Sequence, residues 1–264
     1  MNKQDQPTLA AITELPNSLP AAGDALQDRV ILVTGAAQGL GRATALACAR
    51  AGATVIIVDK QLKALESLYD EIVATGAPEP VIHPMNFEGV GLAEFLELAT
   101  AIDQHFRRLD GLVHNAALLG GLSPMTQYEP ELWARVLHTN VNTPFLLNQV
   151  CLPLMQRSDS ARLIFVSDTV GRQGKAFWGA YGASKAAVEN MMETLALELG
   201  KGPIRVLSVD PGPMATALRR KAFPAEDEHS LPTPERAADY LVHLLGPAGD
   251  SLHGRKLRIP SASA

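Results

Sequence analysis

The stretch RVILVTGAAQGLGRATALACARAG, residues 29–52, constrains this chain most. RVILVTG reads as a buried strand. LGRATALACARAG reads as a helix ended by Gly52. Between them Gly35, Gly39 and Gly41 stand in G-x-x-x-G-x-G spacing, with Gln38 and Leu40 in the same turn. Such a turn brings backbone close to a pyrophosphate, and the helix N-terminus faces that anion. A glycine-rich turn without a ligand is the bland alternative. A strand before the motif and a helix after it favour the dinucleotide.

The same alternation continues along the chain. TVIIVDK is a strand, and QLKALESLYDEIVATG a helix stopped by Gly76. PVIHPMN is a weaker strand, GLAEFLELATAIDQHF a helix, and LDGLVHNAA a strand with its exit loop. Residues 130–157 read as a long helical region, and Pro144 in its middle predicts a kink or break. ARLIFVS is a strand, 179–200 a helix, and IRVLSVDPG a strand and turn. Residues 213–233 are irregular, 234–245 form a last helix, and GRKLRI a terminal strand. This predicts an α/β fold, a doubly wound parallel sheet of about seven strands with helices on both faces. Ligands bind such sheets beyond the carboxyl ends of the strands. Residues 1–28, polar and Pro-rich, are expected to form an N-terminal arm outside the fold, and 29–264 a single domain.

Composition excludes several classes. Net charge is −5, so no basic surface argues for nucleic acid or an acidic membrane. The two cysteines, Cys48 and Cys151, sit in apolar helical runs and make neither a disulfide framework nor a metal site. No apolar run approaches the roughly 18 residues of a membrane span. The first residues lack the pattern of a signal peptide, and a cytoplasmic protein is expected.

Asp59 ends the second strand. Its carboxylate can accept from both adenosine ribose hydroxyls and would repel a 2′-phosphate, which favours NAD(H) over NADP(H). Lys60, next in sequence, is a cation able to attract that phosphate, so NADP(H) stays open. A helix N-cap is the other role for Asp59. Asn86, followed by Phe87 at the third strand's end, has a side-chain amide suited to adenine.

These motifs resemble one family over nearly all the chain after residue 28, the short-chain dehydrogenases/reductases. TGAAQGLG matches its T-G-x-x-x-G-x-G motif. HNAA, His114 to Ala117, resembles N-N-A-G with two departures. Asn140 lies where the family has an active-site Asn, and YGASK matches Y-x-x-x-K. DPGPMAT resembles the family's P-G-x-x-x-T stretch. The resemblance implies a Rossmann-type fold, a nicotinamide cofactor, and dimers or tetramers. It also implies that Asn115, Pro211, Gly212 and Thr216 contribute to cofactor binding. The family's substrate range is wide, so it names no substrate.

Hydride transfer to a carbonyl needs a proton donor, and the reverse reaction a base. Tyr181 and Lys185 lie one helical turn apart on one face, where an ammonium stabilises a phenolate. Lys185 also reaches the nicotinamide ribose in the family. Asn140 is a candidate for holding a water that links Lys185 to solvent. The family's Ser, three residues before a Gly, is here Asp168 before Gly171. An ionised carboxylate cannot donate to a carbonyl, and its charge opposes phenolate formation. Ser167 and Thr169 flank it with hydroxyls. Asp168 is therefore protonated and donating, or ionised and accepting from a substrate hydroxyl or amine. A third alternative is that the fold serves as a cofactor-dependent regulatory or scaffold protein with little catalysis.

Leu118, Leu119, Met125, Phe177, Trp178, Met214 and Phe223 are expected to wall an apolar substrate pocket. Arg172 and Lys175 are candidates for meeting an anionic substrate, or are solvated loop cations. Residues 222–234 are long, polar and Pro-bounded, as a lid would be. The Ala-, Leu- and Met-rich helices containing Asn140 and Tyr181 predict a homodimer or homotetramer.

Overall fold

The computed structural model describes residues 12–20 and 23–261. Their strands form one parallel sheet in the order β1-β8-β7-β6-β5-β2-β3-β4. In chain order, β1 (Ile12–Glu14) and β2 (Val30–Thr34) precede α1 (Gly39–Arg50). β3 (Thr54–Asp59), α2 (Leu62–Ala74), β4 (Val81–Pro84), α3 (Leu92–Phe106) and β5 (Gly111–His114) follow. Then come α4 (Pro130–Leu137), α5 (Thr143–Met155), β6 (Ala161–Val166) and α6 (Thr169–Arg172). The fold ends with α7 (Gly179–Leu199), β7 (Ile204–Asp210), α8 (Ala217–Ala222), α9 (Pro234–Leu245) and β8 (Lys256–Arg258).

The apolar strand runs follow from burial on both faces. Side chains alternate across a strand, so successive residues enter different layers. Ile31, Val33, Val55 and Ile57 pack with α1, α2 and α9. Val30, Leu32, Ile56 and Val58 pack on the other face with α3, α5 and α7. A one-residue slip would exchange the two layers. The chain runs outward from β2 through β3 to β4, then returns to pair β5 on the other side of β2. That reversal opens a crevice beyond the carboxyl ends of β2 and β5.

Within 213–233, expected to be irregular, Thr216 caps the short helix α8, and two larger features also differ from the sequence expectation. The sheet has eight strands among the described residues, because Ile12–Glu14 pairs in parallel with Lys256–Arg258. Leu15 continues the ladder by donating to the Arg258 carbonyl at 2.9 Å. The Tyr240 hydroxyl donates to the Pro16 carbonyl at 2.7 Å, and Leu26 is fully buried. Residues 12–16 therefore belong to the fold, not to an external arm. Three strand residues ended by a proline leave too short an apolar pattern to recognise. Of the expected arm, residues 1–11, 21 and 22 lie outside the described residues.

The second difference concerns 130–157. The interruption is a π-helical turn at His138–Asn142, ahead of Pro144. Pro144 occupies the first turn of α5, where a missing N–H costs little. Widened turns of this kind recur at functional sites.

Candidate active site

The crevice is a cavity of about 550 Å³. It runs from Asp59 and Asn86 at the ends of β3 and β4 to Tyr181 and Trp178 at the start of α7.

At the first end, Gly35 and Gly39 have φ of 69° and 57°, which glycine adopts freely. Gly41 lines no part of the cavity. A Cβ there would overlap the Gly35 carbonyl and meet Asn115 Nδ2 at 2.5 Å, so it lets α1 close on the turn. Gln38, the N-cap of α1, offers no side-chain hydrogen bond to that helix. The first N–H groups are therefore free for an anion. Asp59 Oδ2 accepts from the Ala37 N–H at 3.3 Å and Oδ1 from the Gln61 N–H at 3.0 Å. It thus ties the glycine turn to the start of α2 and also borders the cavity. Lys60 pairs with Glu88 at 2.5 Å. Gln38, Leu40, Asn86 and Phe87 line the cavity as well.

Asn115 is a bracket for the turn. Its Nδ2 donates to the carbonyls of Thr34 at 2.9 Å and Gly35 at 3.2 Å. Thr34 Oγ1 accepts from the N–H groups of Asn115 and Ala116 at 3.0 and 3.1 Å. Thr34 was not among the expected site residues, although the Thr of the T-G pair was visible in the motif. His114, beside Asn115, is buried, stacks on Phe165 and contacts Asn148 Oδ1 through Nε2 at 2.8 Å. Burial pushes its pKa down to about 4, against the weaker upward pull of Asn148. The unfolded histidine takes up a proton near pH 6.5 while the folded one resists until about 4. Stability is therefore expected to fall as pH drops through that window, by up to about 3 kcal/mol. His114→Asn should flatten this part of the stability–pH curve in urea unfolding; an unchanged slope would refute the assignment.

At the other end, α7 presents a buried stripe of Tyr181, Lys185, Val188, Glu189, Met192 and Ala196. The helical spacing that anchors α7 in the core thus also aims Tyr181 and Lys185 at the cavity. Lys185 Nζ donates to the Val166 carbonyl at 2.7 Å and lies 5.5 Å from the Tyr181 ring centre. Burial lowers the Lys185 pKa to about 8, although the charges of Asp168, Asp210 and Glu189 pull it up. Tyr181 is held well above its ordinary value, first by burial, then by the Asp168 charge and the hydrogen bond to Asp168.

Asp168 caps α6. Its Oδ1 accepts from the Val170 N–H at 3.0 Å, and Oδ2 accepts from the Tyr181 hydroxyl at 3.5 Å. Both oxygens act as acceptors. Of the flanking hydroxyls, Thr169 Oγ1 donates to Asp210 Oδ2 at 2.7 Å. Ser167 is buried at the cavity wall and its Oγ has no partner; the same holds for Thr139 Oγ1. Ser167 reads from sequence only as a hydroxyl flanking Asp168, and Thr139 not at all, because nothing in a lone hydroxyl residue signals an unpaired, buried oxygen.

Asn140 does not have the arrangement expected for holding a water through its side chain. Its Oδ1 accepts from the Leu118 N–H at 2.7 Å. Its Nδ2 donates to the Leu118 carbonyl at 3.0 Å and to Ser184 Oγ at 2.9 Å. The side chain fixes the β5 exit loop to the π turn and to α7. Arg172 does not meet the cavity either. It is 9% exposed and bound to Glu189 at 2.7 Å. Leu119 is buried beside Trp178 and Tyr181 but does not line this cavity, while Met125 and Phe177 are 62% and 56% exposed. Leu118, Lys175, Trp178, Met214 and Phe223 do line it. Pro211, Gly212 and Thr216 lie along the β7 exit. The expected lid begins where α8 ends. Arg219 of α8 holds Glu226 by two bonds of 2.6 Å, and a 3₁₀ turn forms at Glu228–Ser230.

The glycine cradle, the free N–H groups and the two unpaired hydroxyls fit a nicotinamide dinucleotide. Among the described residues no group of His, Cys, Asp and Glu could hold a metal ion. Cys48 and Cys151 are buried, and burial raises both thiols. No helix among the described residues is long and apolar enough to cross a membrane.

Comparison with known proteins agrees with this geometry. The family model of the short chain dehydrogenases matches residues 29–227. The oxidoreductase YciK of Escherichia coli K12 is 42% identical over 223 residues, 84% of this chain and 88% of the relative. A short chain dehydrogenase from Escherichia coli CFT073, solved with NADPH, superposes with TM-score 0.88 at 40% identity, covering 90% of this chain and 99% of that one. One from Shigella flexneri 2a, solved with NADP, gives 0.87 at 40% identity, over 89% and 98%.

Proposed function

The chain belongs to the short-chain dehydrogenase family, and from that premise we propose that it transfers hydride between NAD(P)(H) and an alcohol or carbonyl substrate. The observation that carries this reading is the buried Tyr181–Lys185 pair at one end of a cavity whose other end is the glycine turn. When bound, the nicotinamide supplies or accepts the hydride.

The chain's own residues handle the proton. In reduction the Tyr181 hydroxyl gives its proton to the carbonyl oxygen, and the Lys185 ammonium stabilises the phenolate left behind. In oxidation that phenolate accepts the alcohol proton. Lys185 is positioned by the Val166 carbonyl. Asn140 acts by holding the β5 exit loop, which carries Ala116 and Ala117 to the cavity wall. Asp168 is an acceptor facing the substrate, since both its oxygens already accept. Gly35, Gln38, Gly39 and Leu40 cradle the pyrophosphate; Asp59, Asn86 and Phe87 border the adenosine. Following cofactor absorbance with purified protein and a panel of ketones and alcohols tests the reading. Tight cofactor binding without turnover across the panel would favour a binding protein.

The preference for NAD expected from Asp59 is not supported by the relatives, whose bound NADP and NADPH lean the other way. We therefore assign both dinucleotides, with Asp59 and Lys60 as opposed determinants. Asp59→Ala removes a negative charge from the ribose end, and should raise the NADP:NAD affinity ratio about ten-fold or more. Calorimetric titration of both cofactors checks it; an unchanged ratio would remove Asp59 from the site.

The reading includes a homodimer or homotetramer. Leu96 on α3, Phe145 on α5 and Leu197 on α7 are 51%, 50% and 45% exposed, which an interface would cover. Light scattering at micromolar concentration should give a multiple of the 28.2 kDa chain; a monomer refutes it.

A further inference from the structure

The charge of Asp168 acts on the Lys185 ammonium, yet its carboxylate stays outside direct pairing. No ion pair among the described residues includes it. The neighbouring cations are committed elsewhere. Arg172 binds Glu189, Arg258 lies 3.5 Å from Asp210, and Lys185 is bonded to the Val166 carbonyl. Oδ2 receives one long bond, from Tyr181 at 3.5 Å. A carboxylate offers about four acceptor positions, so this one faces the cavity with acceptor capacity to spare.

The wall near it is aromatic. Trp178 lies 5.8 Å from Tyr181 and 5.6 Å from Phe223 between ring centres. A cation already rests there: Lys175 Nζ is 5.1 Å from the Trp178 ring and 4.8 Å from that of Phe223. Both distances fall within the range of cation–π attraction. Lys175 is exposed and sits on a flexible stem, so its ammonium can leave. Arg219, which stacks on Phe223 at 3.8 Å, is held by Glu226 and cannot readily do so.

We propose that the substrate end takes an α-amino ketone, whose ammonium displaces that of Lys175 from the Trp178 and Phe223 faces and binds Asp168. This rests on the hydride-transfer reading. Tyr181 and Asp168 are adjacent hydrogen-bonding groups, one giving its proton to the carbonyl oxygen, the other accepting from a donor on the next carbon. A plain ketone leaves Asp168 without a donor, and a site built around such a group discriminates against ligands lacking it. A substrate carboxylate is repelled.

The test uses three matched ketones: 2-amino-1-phenylethanone, 2-hydroxy-1-phenylethanone and acetophenone, with the full chain and NADPH or NADH. For wild type, kcat/KM should be about ten-fold or more higher for the amino ketone than for either other. Asp168→Asn keeps a cap for α6 but loses the charge, and should bring the three within a few-fold. Lys175→Met should lower KM for the amino ketone. Binding is read separately, by tryptophan fluorescence of the NADPH-bound protein titrated with 2-amino-1-phenylethanol, which that form cannot oxidise. Wild type and Tyr181→Phe should bind it alike, and Asp168→Asn about ten-fold more weakly. Equal or better use of acetophenone or the hydroxy ketone by wild type overturns the proposal. So does undiminished amine binding by Asp168→Asn. Absence of turnover with Asp168-dependent amine binding intact would sink hydride transfer and leave the amine site standing.

Discussion

Replacing Tyr181 with Phe should abolish turnover while changing dinucleotide affinity by less than about two-fold. The phenol's proton is needed in the transition state, and general acid–base groups contribute about 10²- to 10⁴-fold. The ring remains, so the packing against Trp178 at 5.8 Å is kept. What is lost is one hydroxyl and a 3.5 Å bond to Asp168, which costs the fold little. The loss should fall on kcat, with KM little changed. Steady-state rates with fluorescence titration of the cofactor distinguish this from misfolding. Full activity in Tyr181→Phe would mean that another group handles the proton.

The second large effect is expected from Asp168→Ser. With a plain ketone, reduction should accelerate about ten-fold or more, because a hydroxyl can donate to the carbonyl where a carboxylate cannot. The pH dependence should move too. Tyr181 is raised first by burial, which the substitution leaves in place, then by the charge and the bond of Asp168, which it removes. The phenolate therefore forms at lower pH, and alcohol oxidation rises earlier. Lys185 is lowered to about 8 by burial, with Asp168 the foremost of the charges that hold it up. Removing that charge lowers Lys185 further, so the loss of its ammonium also begins at lower pH. Both limbs of the rate profile shift downward together. A profile unmoved in Asp168→Ser would separate Asp168 from the proton chemistry.

Much of this site was legible in sequence because its chemistry is tied to local spacing. The glycines need one turn, and Tyr181 and Lys185 need one helical repeat, so a short window suffices for each. Asp168 was visible as an exception for the same reason. What escaped depends on distant partners. Arg172 reads as a free loop cation until α7 supplies Glu189. Asn140 reads as a water ligand until the loop after β5 brings the Leu118 backbone to both ends of its amide. Phe177 lies one residue before Trp178 but at φ 74°, and its side chain is exposed while that of Trp178 is buried. The cation resting on Trp178 and Phe223 joins two residues of the α6–α7 loop to the residue that follows α8. No periodicity links these.

The parallel pairing of Ile12–Glu14 with Lys256–Arg258 sets an order on assembly. These are among the most distant partners in the sheet, and loop-closure entropy makes such contacts slow to form. On a ribosome, residues 12–14 emerge early and have nothing to pair with until 256–258 are free of the exit tunnel. The last strand, in turn, enters between β7 and a segment that has waited through the synthesis of everything between them. Docking of this margin is thus a late step in maturation, after the strands that carry the glycine turn, Asp168 and α7 have been made.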